Sequence, residues 1–258
     1  SMGALARTLA LLAMTVATAA IEEVPLDMAP DSFDDQYDGC RDKMNAALVA
    51  LSHSDIQGNG RFAEVWTEAR NEWQSRGSPT SPLVPAQAIA LMAYTMNNLY
   101  KEFNAAVREA GRSSRHYRDN FHYKTLHFLL TDALATLRAA RGQKHRCVFR
   151  RVREVRFKAQ PGQRVRFGQF ASSSLCKDLR LFGSDTVFQV NTSYGADIHN
   201  FSYYPGEQEV LIPPFETFNV TKVTRDGDGV RIWLNSTGTH SNYSCELLPG
   251  DGTGTAWG

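Results

Sequence analysis

Two glutamates two residues apart, Glu207 and Glu209, stand in the stretch Pro205-Gly206-Glu207-Gln208-Glu209-Val210-Leu211-Ile212-Pro213-Pro214 and lead directly into an apolar run. In a strand, residues i and i+2 point to one face, about 6.6–7 Å apart. The spacing therefore predicts that both carboxylates share a face with Leu211, while Gln208, Val210 and Ile212 take the other. Like charges that close raise each other's pKa. A fold keeps such a pair at a site that uses it, or on an edge strand wet enough to tolerate it. On pattern alone the wet edge is the commoner explanation.

Arg150 is the second unusual residue. It alternates with Val148 and Val152 on the apolar side of an extended segment. A buried guanidinium needs an anionic partner, because an unpaired buried charge is very costly. An internal Asp or Glu would serve, and so would a ligand phosphate or carboxylate, which the guanidinium fork fits. The serine triplet Ser172-Ser173-Ser174 follows Gly168-Gln169-Phe170-Ala171. Its usual explanation is a cap for a following helix, and no Gly-x-Ser-x-Gly elbow marks a hydrolase nucleophile. The seven His and four Cys lack His-Glu-x-x-His or Cys-x-x-Cys spacing, so no metal site is expected. No Walker loop or Gly-x-Gly-x-x-Gly follows a strand.

The elements that must position these residues fall into two halves. Residues 1–20 have a charged start, a short apolar stretch from Leu9 to Val16 and small residues at Ala17-Thr18-Ala19, the pattern of a signal peptide. Residues 21–39 are acidic and read as an extended lead-in with few apolar anchors. Helical spacing follows over about 40–141: Met44, Ala47, Leu48 and Leu51; then Phe62, Val65, Trp66, Ala69 and Trp73; then one long helix from Ile89 to Val107, ended by Gly111; then Tyr123 to Ala140. Near Gly142 the period changes to two, and strands are expected around 148–152, 165–167, 188–190, 209–212, 218–223 and 230–234. Helices first and strands second predict an α+β domain over 21–250, with a β-rich part at about 145–246. Residues 247–258, polar and Gly-rich, read as a flexible tail without a lipid-anchor signal. A net charge of +1 gives no argument for nucleic acid. The apolar stretch at the start is too short to span a bilayer, so no stable membrane insertion is expected. Five glycosylation sequons, at Asn191, Asn200, Asn219, Asn235 and Asn242, fit a secreted, extracellular chain. So does an even cysteine count, for which three pairings are possible.

In order, Val148-Phe149-Arg150, Phe170-Ala171-Ser172-Ser173-Ser174 and Glu207-Gln208-Glu209 resemble the Arg-Ser-Glu class of ADP-ribosyltransferases. More narrowly, the chain resembles the secreted and cell-surface arginine-specific mono-ADP-ribosyltransferases of vertebrates, the avian members above all. Supporting stretches run from Met28 to Asp35, Ala93 to Thr95, Val165 to Gln169, Phe201 to Gly206 and Val210 to Glu216. The resemblance covers roughly residues 25–246. It implies the ADP-ribosyltransferase fold, with a helical N-terminal half packed on a two-sheet NAD-binding β core. It also implies NAD as substrate without a metal, and arginine-bearing proteins as acceptors. Arg150 would hold the NAD diphosphate, Ser172 would orient the catalytic carboxylate Glu209, and Glu207 would mark arginine as acceptor. Tyr94, Gln169 and Ser202 match positions that contact NAD.

The resemblance further implies a disulfide between Cys40 and Cys245. The family's second bridge lacks its partner here, because the matching stretch reads Thr192-Ser193-Tyr194-Gly195. Cys147 and Cys176 are left to pair with each other, stay free or bridge two chains. Arg151 stands where the family usually has Gly, at the nicotinamide end of the pocket. Besides arginine transfer, NAD hydrolysis by water and a catalytically weak binding module of the same fold remain open readings.

Overall fold

A computed structural model describes residues 21–77, 81–96, 99–142, 146–175, 185–227 and 229–246. The expected signal peptide and flexible tail, and Cys176, lie outside the described residues. Six helices come first: α1 (Arg41–Gly58), α2 (Gly60–Ser75), α3 (Pro85–Thr95), α4 (Leu99–Ala110), α5 (Ser114–Asn120) and α6 (Lys124–Arg141). The strands are β1 (Glu22–Pro25), β2 (Arg146–Val152), β3 (Val155–Lys158), β4 (Arg164–Arg166), β5 (Ala171–Leu175), β6 (Thr186–Thr192), β7 (Ala196–Asp197), β8 (Glu209–Ile212), β9 (Glu216–Asp226) and β10 (Gly229–Thr239). Eight strands make one sheet in the order β4-β9-β10-β6-β2-β5-β8-β7, and β1 pairs with β3 in a second. In the large sheet β10 and β6 run parallel and the other neighbours antiparallel. The α+β expectation is met.

The apolar stripes of the helices converge on one core that includes Phe62, Leu91, Phe103, Phe128 and Leu130, and the sheet adds Phe170 and Leu211 from one face. Its other face builds a second core from Val148, Phe188, Val190, Val210, Ile212 and Phe218. Period-2 alternation is what allows one strand to serve both, since Val210 and Leu211 point opposite ways.

Three expectations need correction. The long helix from Ile89 to Val107 is two. Met96 caps α3 with an extended backbone at φ −86°, ψ 146°, and α4 starts at Leu99. The spacing ran on because both halves press apolar residues on the same core, including Leu91 and Met92 from α3 and Phe103 and Val107 from α4. The serine triplet, expected as a helix cap, is the body of strand β5. The acidic lead-in is not loosely held. It begins with β1, and Leu26, Phe33 and Tyr37 are buried.

Buried charge does the rest of the anchoring. Arg166 and Asp34 are both fully enclosed, 2.5 Å apart. Arg166 Nε donates to the Met28 carbonyl at 2.7 Å and Nη2 to the Ala29 carbonyl at 3.0 Å, while Asp34 accepts from the Asn242 and Tyr243 amides. The pair is therefore hydrogen-bonded on all sides, the condition under which a buried ion pair is tolerated. Two glycines let the lead-in approach this closely. A Cβ on Gly111 would lie 2.2 Å from the Ser32 carbonyl oxygen, and one on Gly168, at φ +62°, would lie 2.3 Å from Ala29 Cβ. The expected Cys40–Cys245 disulfide closes the far end of the same segment. Cys147 is also disulfide-bonded.

Candidate active site

Among the described residues, strands β2 and β5 are in register at Val148 with Leu175 and Phe149 with Ser174. After Phe149 the two strands part, and the next residue of β2 is Arg150. Its Nη1 donates to the Ser172 carbonyl at 2.9 Å, so the side chain bridges the opening that the ladder no longer closes. Its guanidinium also lies 6.0 Å from the centre of the Phe167 ring. Arg150 keeps the expected alternation, between a buried Val148 and a half-buried Val152. Burial pulls the Arg150 guanidinium below its usual value, and the charge of Glu209 opposes that fall.

On the other side of β5, strand β8 pairs Glu209 with Ser174 and Leu211 with Ser172. Glu209 is buried at 6% exposure. Burial raises its carboxyl above the usual range; a hydrogen bond from Ser172 and the charge of Arg150 oppose the rise, and the charge of Glu207 adds to it. The shared strand face predicted for the two glutamates is not found. Glu207 ends a 3-10 turn over Pro205–Glu207, and Gln208 turns the chain in the left-handed region at φ 48° before β8 begins at Glu209. Two breakers at Pro205-Gly206 and the left-handed residue defeat the period-2 reading. The result separates the carboxylates by environment: Glu207 is exposed and Glu209 is not.

Helices α3 and α4 close the site from the other layer. Tyr94 is buried, and its hydroxyl lies 3.3 Å from Ser172 Oγ and 3.2 Å from the Phe170 carbonyl oxygen. Burial, first, pushes its phenol up to about 12, so it is protonated at neutral pH. Asn104 of α4 sits behind Tyr94, at 3.2 Å from the hydroxyl.

These groups line a cleft of about 870 Å³, a size suited to a dinucleotide-scale ligand. Lys101, Arg108, Arg150, Arg151 and Arg153 contribute positive charge to its walls against Glu154, Glu207 and Glu209. A diphosphate matches the first set and an electron-poor ribose the second. Gln169 is at the wall, its Oε1 accepting from Arg108 Nη1 at 2.5 Å. Arg151, the departure from the family pattern, is exposed and lines the same cleft.

The structure thus brings together Tyr94, Arg150, Gln169, Ser172, Glu207 and Glu209. It does not bring in Ser202. That residue is fully buried, its hydroxyl accepting from the Tyr204 amide at 3.1 Å and its carbonyl from Arg76 Nη1 at 2.8 Å, and it is absent from the cleft wall. It fastens the turn that carries Glu207. Sequence reasoning missed Tyr100, Lys101, Asn104, Arg108, Arg153 and Tyr204. For Asn104 a signal exists: it sits beside Phe103 on the buried stripe of α4, where a polar side chain needs partners. The exposed cations carry no such mark. Among the described residues no group of three or more His, Cys, Asp or Glu could hold a metal ion.

The comparisons with known proteins agree with one another. The sequence profile of NAD:arginine ADP-ribosyltransferases matches residues 26–242. The chain is 50% identical over 242 residues to the GPI-linked NAD(P)(+)--arginine ADP-ribosyltransferase 1 of Mus musculus, covering 88% of this chain and 74% of that protein. It is 52% identical over 233 residues to the erythroblast NAD(P)(+)--arginine ADP-ribosyltransferase of Gallus gallus, covering 88% and 77%. Among solved structures, the eukaryotic mono-ADP-ribosyltransferase ART2.2 superposes with a TM-score of 0.75 at 36% identity, over 86% of this chain and 98% of that one. A mutant of ART2.2 in complex with NAD superposes with a TM-score of 0.74.

Proposed function

Because the chain belongs to the NAD:arginine ADP-ribosyltransferase family, we propose that the cleft between β2 and β5 is where NAD is split and its ADP-ribose is passed to an arginine side chain. The observation that carries this reading is the pairing of a buried carboxylate, Glu209, with an exposed one, Glu207, at the wall of a cation-lined cleft.

Each group has a task suited to its environment. Arg150, with Lys101 and Arg108 on the facing helix, offers charge to the diphosphate. When the bond between nicotinamide and ribose breaks, positive charge develops on the ribose, as in glycoside hydrolysis. Glu209, held by Ser172 and fixed before the reaction begins, stabilises that charge more in the transition state than in the ground state. The acceptor guanidinium is protonated at neutral pH and is a poor nucleophile in that form. Glu207, exposed on its 3-10 turn, can bind it by a charge-assisted hydrogen bond and take its proton as the new bond from nitrogen to ribose forms. Nicotinamide leaves with the bonding electrons of its own bond. Water arriving in place of the guanidine would give free ADP-ribose.

Incubation with labelled NAD and a small guanidino compound, scoring labelled adduct and free ADP-ribose together, tests the reading. Adduct as the main product is expected. Absence of detectable NAD binding would favour a binding module that keeps the fold.

The paired disulfide and the sequons support action outside the cell, and no helix among the described residues is long and apolar enough to cross a membrane. The sheet restricts how those sequons can be used. Asn191 of β6 is in register with Asn235 of β10, which is in register with Asn219 of β9. Directly opposed residues have Cβ atoms about 4.5–5.5 Å apart, too close for two branched glycans side by side. Glycopeptide mapping of secreted protein is expected to find no molecule glycosylated at both Asn191 and Asn235. Exposed Asn200 and Asn242, away from this row, should be modified independently. Full occupancy of the row would refute the steric argument.

A further inference from the structure

The turn that carries Glu207 is exposed along its length, from residue 204 to residue 208. A Cβ placed on Gly206 would meet nothing within 4 Å. Within the turn, the Glu207 amide donates to the Tyr204 carbonyl at 3.2 Å. That bond shapes the turn without locating it. Its place in the cleft is therefore set at its two ends. The far end is Glu209, which opens β8 and is in register with Ser174 of β5. The near end is Ser202–Tyr203, and there the helical half takes hold of it.

Arg76, the cap of α2, engages every edge of its guanidinium. Its Nε donates to Glu72 Oε1 at 2.7 Å, Nη1 to the Ser202 carbonyl at 2.8 Å and Nη2 to the Tyr203 carbonyl at 3.2 Å. The guanidinium is a rigid planar fork, so two of its donors on successive carbonyls fix where that peptide lies and how it is turned. The Tyr203 ring lies 5.9 Å from the guanidinium carbon. A second tether comes from α3, where Thr95 Oγ1 accepts from the Tyr203 amide at 2.9 Å. The partners of Arg76 thus lie on its own helix and on the root of the turn, whereas Arg150, Ser172 and Glu209 belong to β2, β5 and β8.

We propose that Arg76 is a positioning residue for acceptor choice: its fork fixes the root of the turn, so that Glu207 stands where an incoming guanidinium is held against the ribose. The inference rests on the reading of Glu207 as the carboxylate that takes the acceptor, and it names what aims that carboxylate. Pro205 has a fixed φ, so a root set loose carries the Pro205–Glu207 turn with it. A displacement of about 1 Å at a reacting group can cost about a hundredfold in rate. Water, in place of the guanidine, needs no such aim. Loss of Arg76 therefore acts on the partition between the two products and not on the splitting of NAD.

The test follows labelled adduct and free ADP-ribose with agmatine as the guanidino acceptor, together with KM for NAD and the melting temperature. Arg76→Met keeps the stem and removes the fork. It should lower kcat/KM for agmatine about ten- to hundredfold, while KM for NAD and hydrolysis without agmatine stay within about twofold. Arg76→Lys keeps the charge but brings one nitrogen to the two carbonyls, and should behave like Arg76→Met; full recovery with Lys would show that charge alone suffices and overturns the proposal. A merely structural role would lower the melting temperature and leave the ratio of the two products unchanged, which also overturns it. So does a raised KM for NAD, which would make the root of the turn an NAD contact. In a Glu207→Gln background, Arg76→Met should cause no further loss of adduct, because the two residues act through one carboxylate; losses that simply multiply refute this. Should Arg76→Met fail to fold, Thr95→Val removes the tether from α3 and must shift the product ratio in the same direction, or the proposal falls. Failure of the underlying reading looks different: Glu207→Gln alone would then leave the product ratio unchanged.

Discussion

Replacing Glu209 with Gln is expected to lower ADP-ribose transfer by about 10²–10³-fold, or about 2.7–4 kcal/mol, the range for losing one preorganised electrostatic group in a water-poor site. The substitution keeps shape and a hydrogen-bond acceptor for Ser172, but removes the charge proposed to face the ribose. The fold should not suffer. Burial, first, raises the Glu209 carboxyl above its usual pKa, and neither the Ser172 bond nor Arg150 reverses that. A carboxyl so raised binds its proton more tightly in the folded chain than in the unfolded one. Its contribution to stability is therefore full below the unfolded pKa and is lost as pH rises through the folded one. Once ionised, Glu209 works against the fold, and Gln removes that cost. The melting temperature at pH 7 should stay level or rise while transfer collapses. Transfer at the parent rate would remove Glu209 from the mechanism; a lowered melting temperature would make the carboxylate structural.

Much of the architecture is legible where a single physical rule decides it. The stripes at Phe62, Val65, Trp66, Ala69 and Trp73, and at Leu126, Leu130 and Leu137, mark helix faces because one core collects them. Alternation around Val148 and Val210 marks strands because the sheet serves two cores. Residues that break a rule also stand out, as Arg150 between two valines and the two glutamates do, although only the family resemblance turns them from a wet edge and a structural pair into a site.

What stays hidden depends on partners far along the chain. Asp34 and Arg166 meet across 132 residues, and nothing near either announces the other. The break between α3 and α4 leaves the apolar spacing intact. Ser202 matches a family position and yet faces inward, because Arg76 and Tyr204 hold its peptide and hydroxyl. Alternation predicts strand at Glu207 because it cannot register the left-handed backbone of Gln208. That turn changes the chemistry. Two carboxylates on one strand face would share an environment, whereas here one is enclosed and one meets solvent.

The difference in environment makes the second large effect specific to one product. Glu207→Gln should lower transfer to a guanidino acceptor by about 10²–10⁴-fold, the usual contribution of a positioned base, and leave NAD hydrolysis within a few-fold of the parent rate. In the proposed mechanism, splitting NAD is the task of Glu209, Ser172 and Arg150, none of which needs the carboxylate of Glu207. Water carries no positive charge to be held and is plentiful at an exposed turn. A guanidinium, by contrast, must be bound and must lose a proton while its nitrogen attacks, and Glu207 is the exposed anion beside the site. Loss of its charge also removes a group that raises the Glu209 carboxyl. The acid limb of the residual hydrolysis should therefore move to lower pH. Measuring adduct and free ADP-ribose in one reaction across pH reads both effects. Equal loss of the two products, with an unmoved limb, would mean that Glu207 serves the splitting of NAD itself and that the acceptor is chosen by another group.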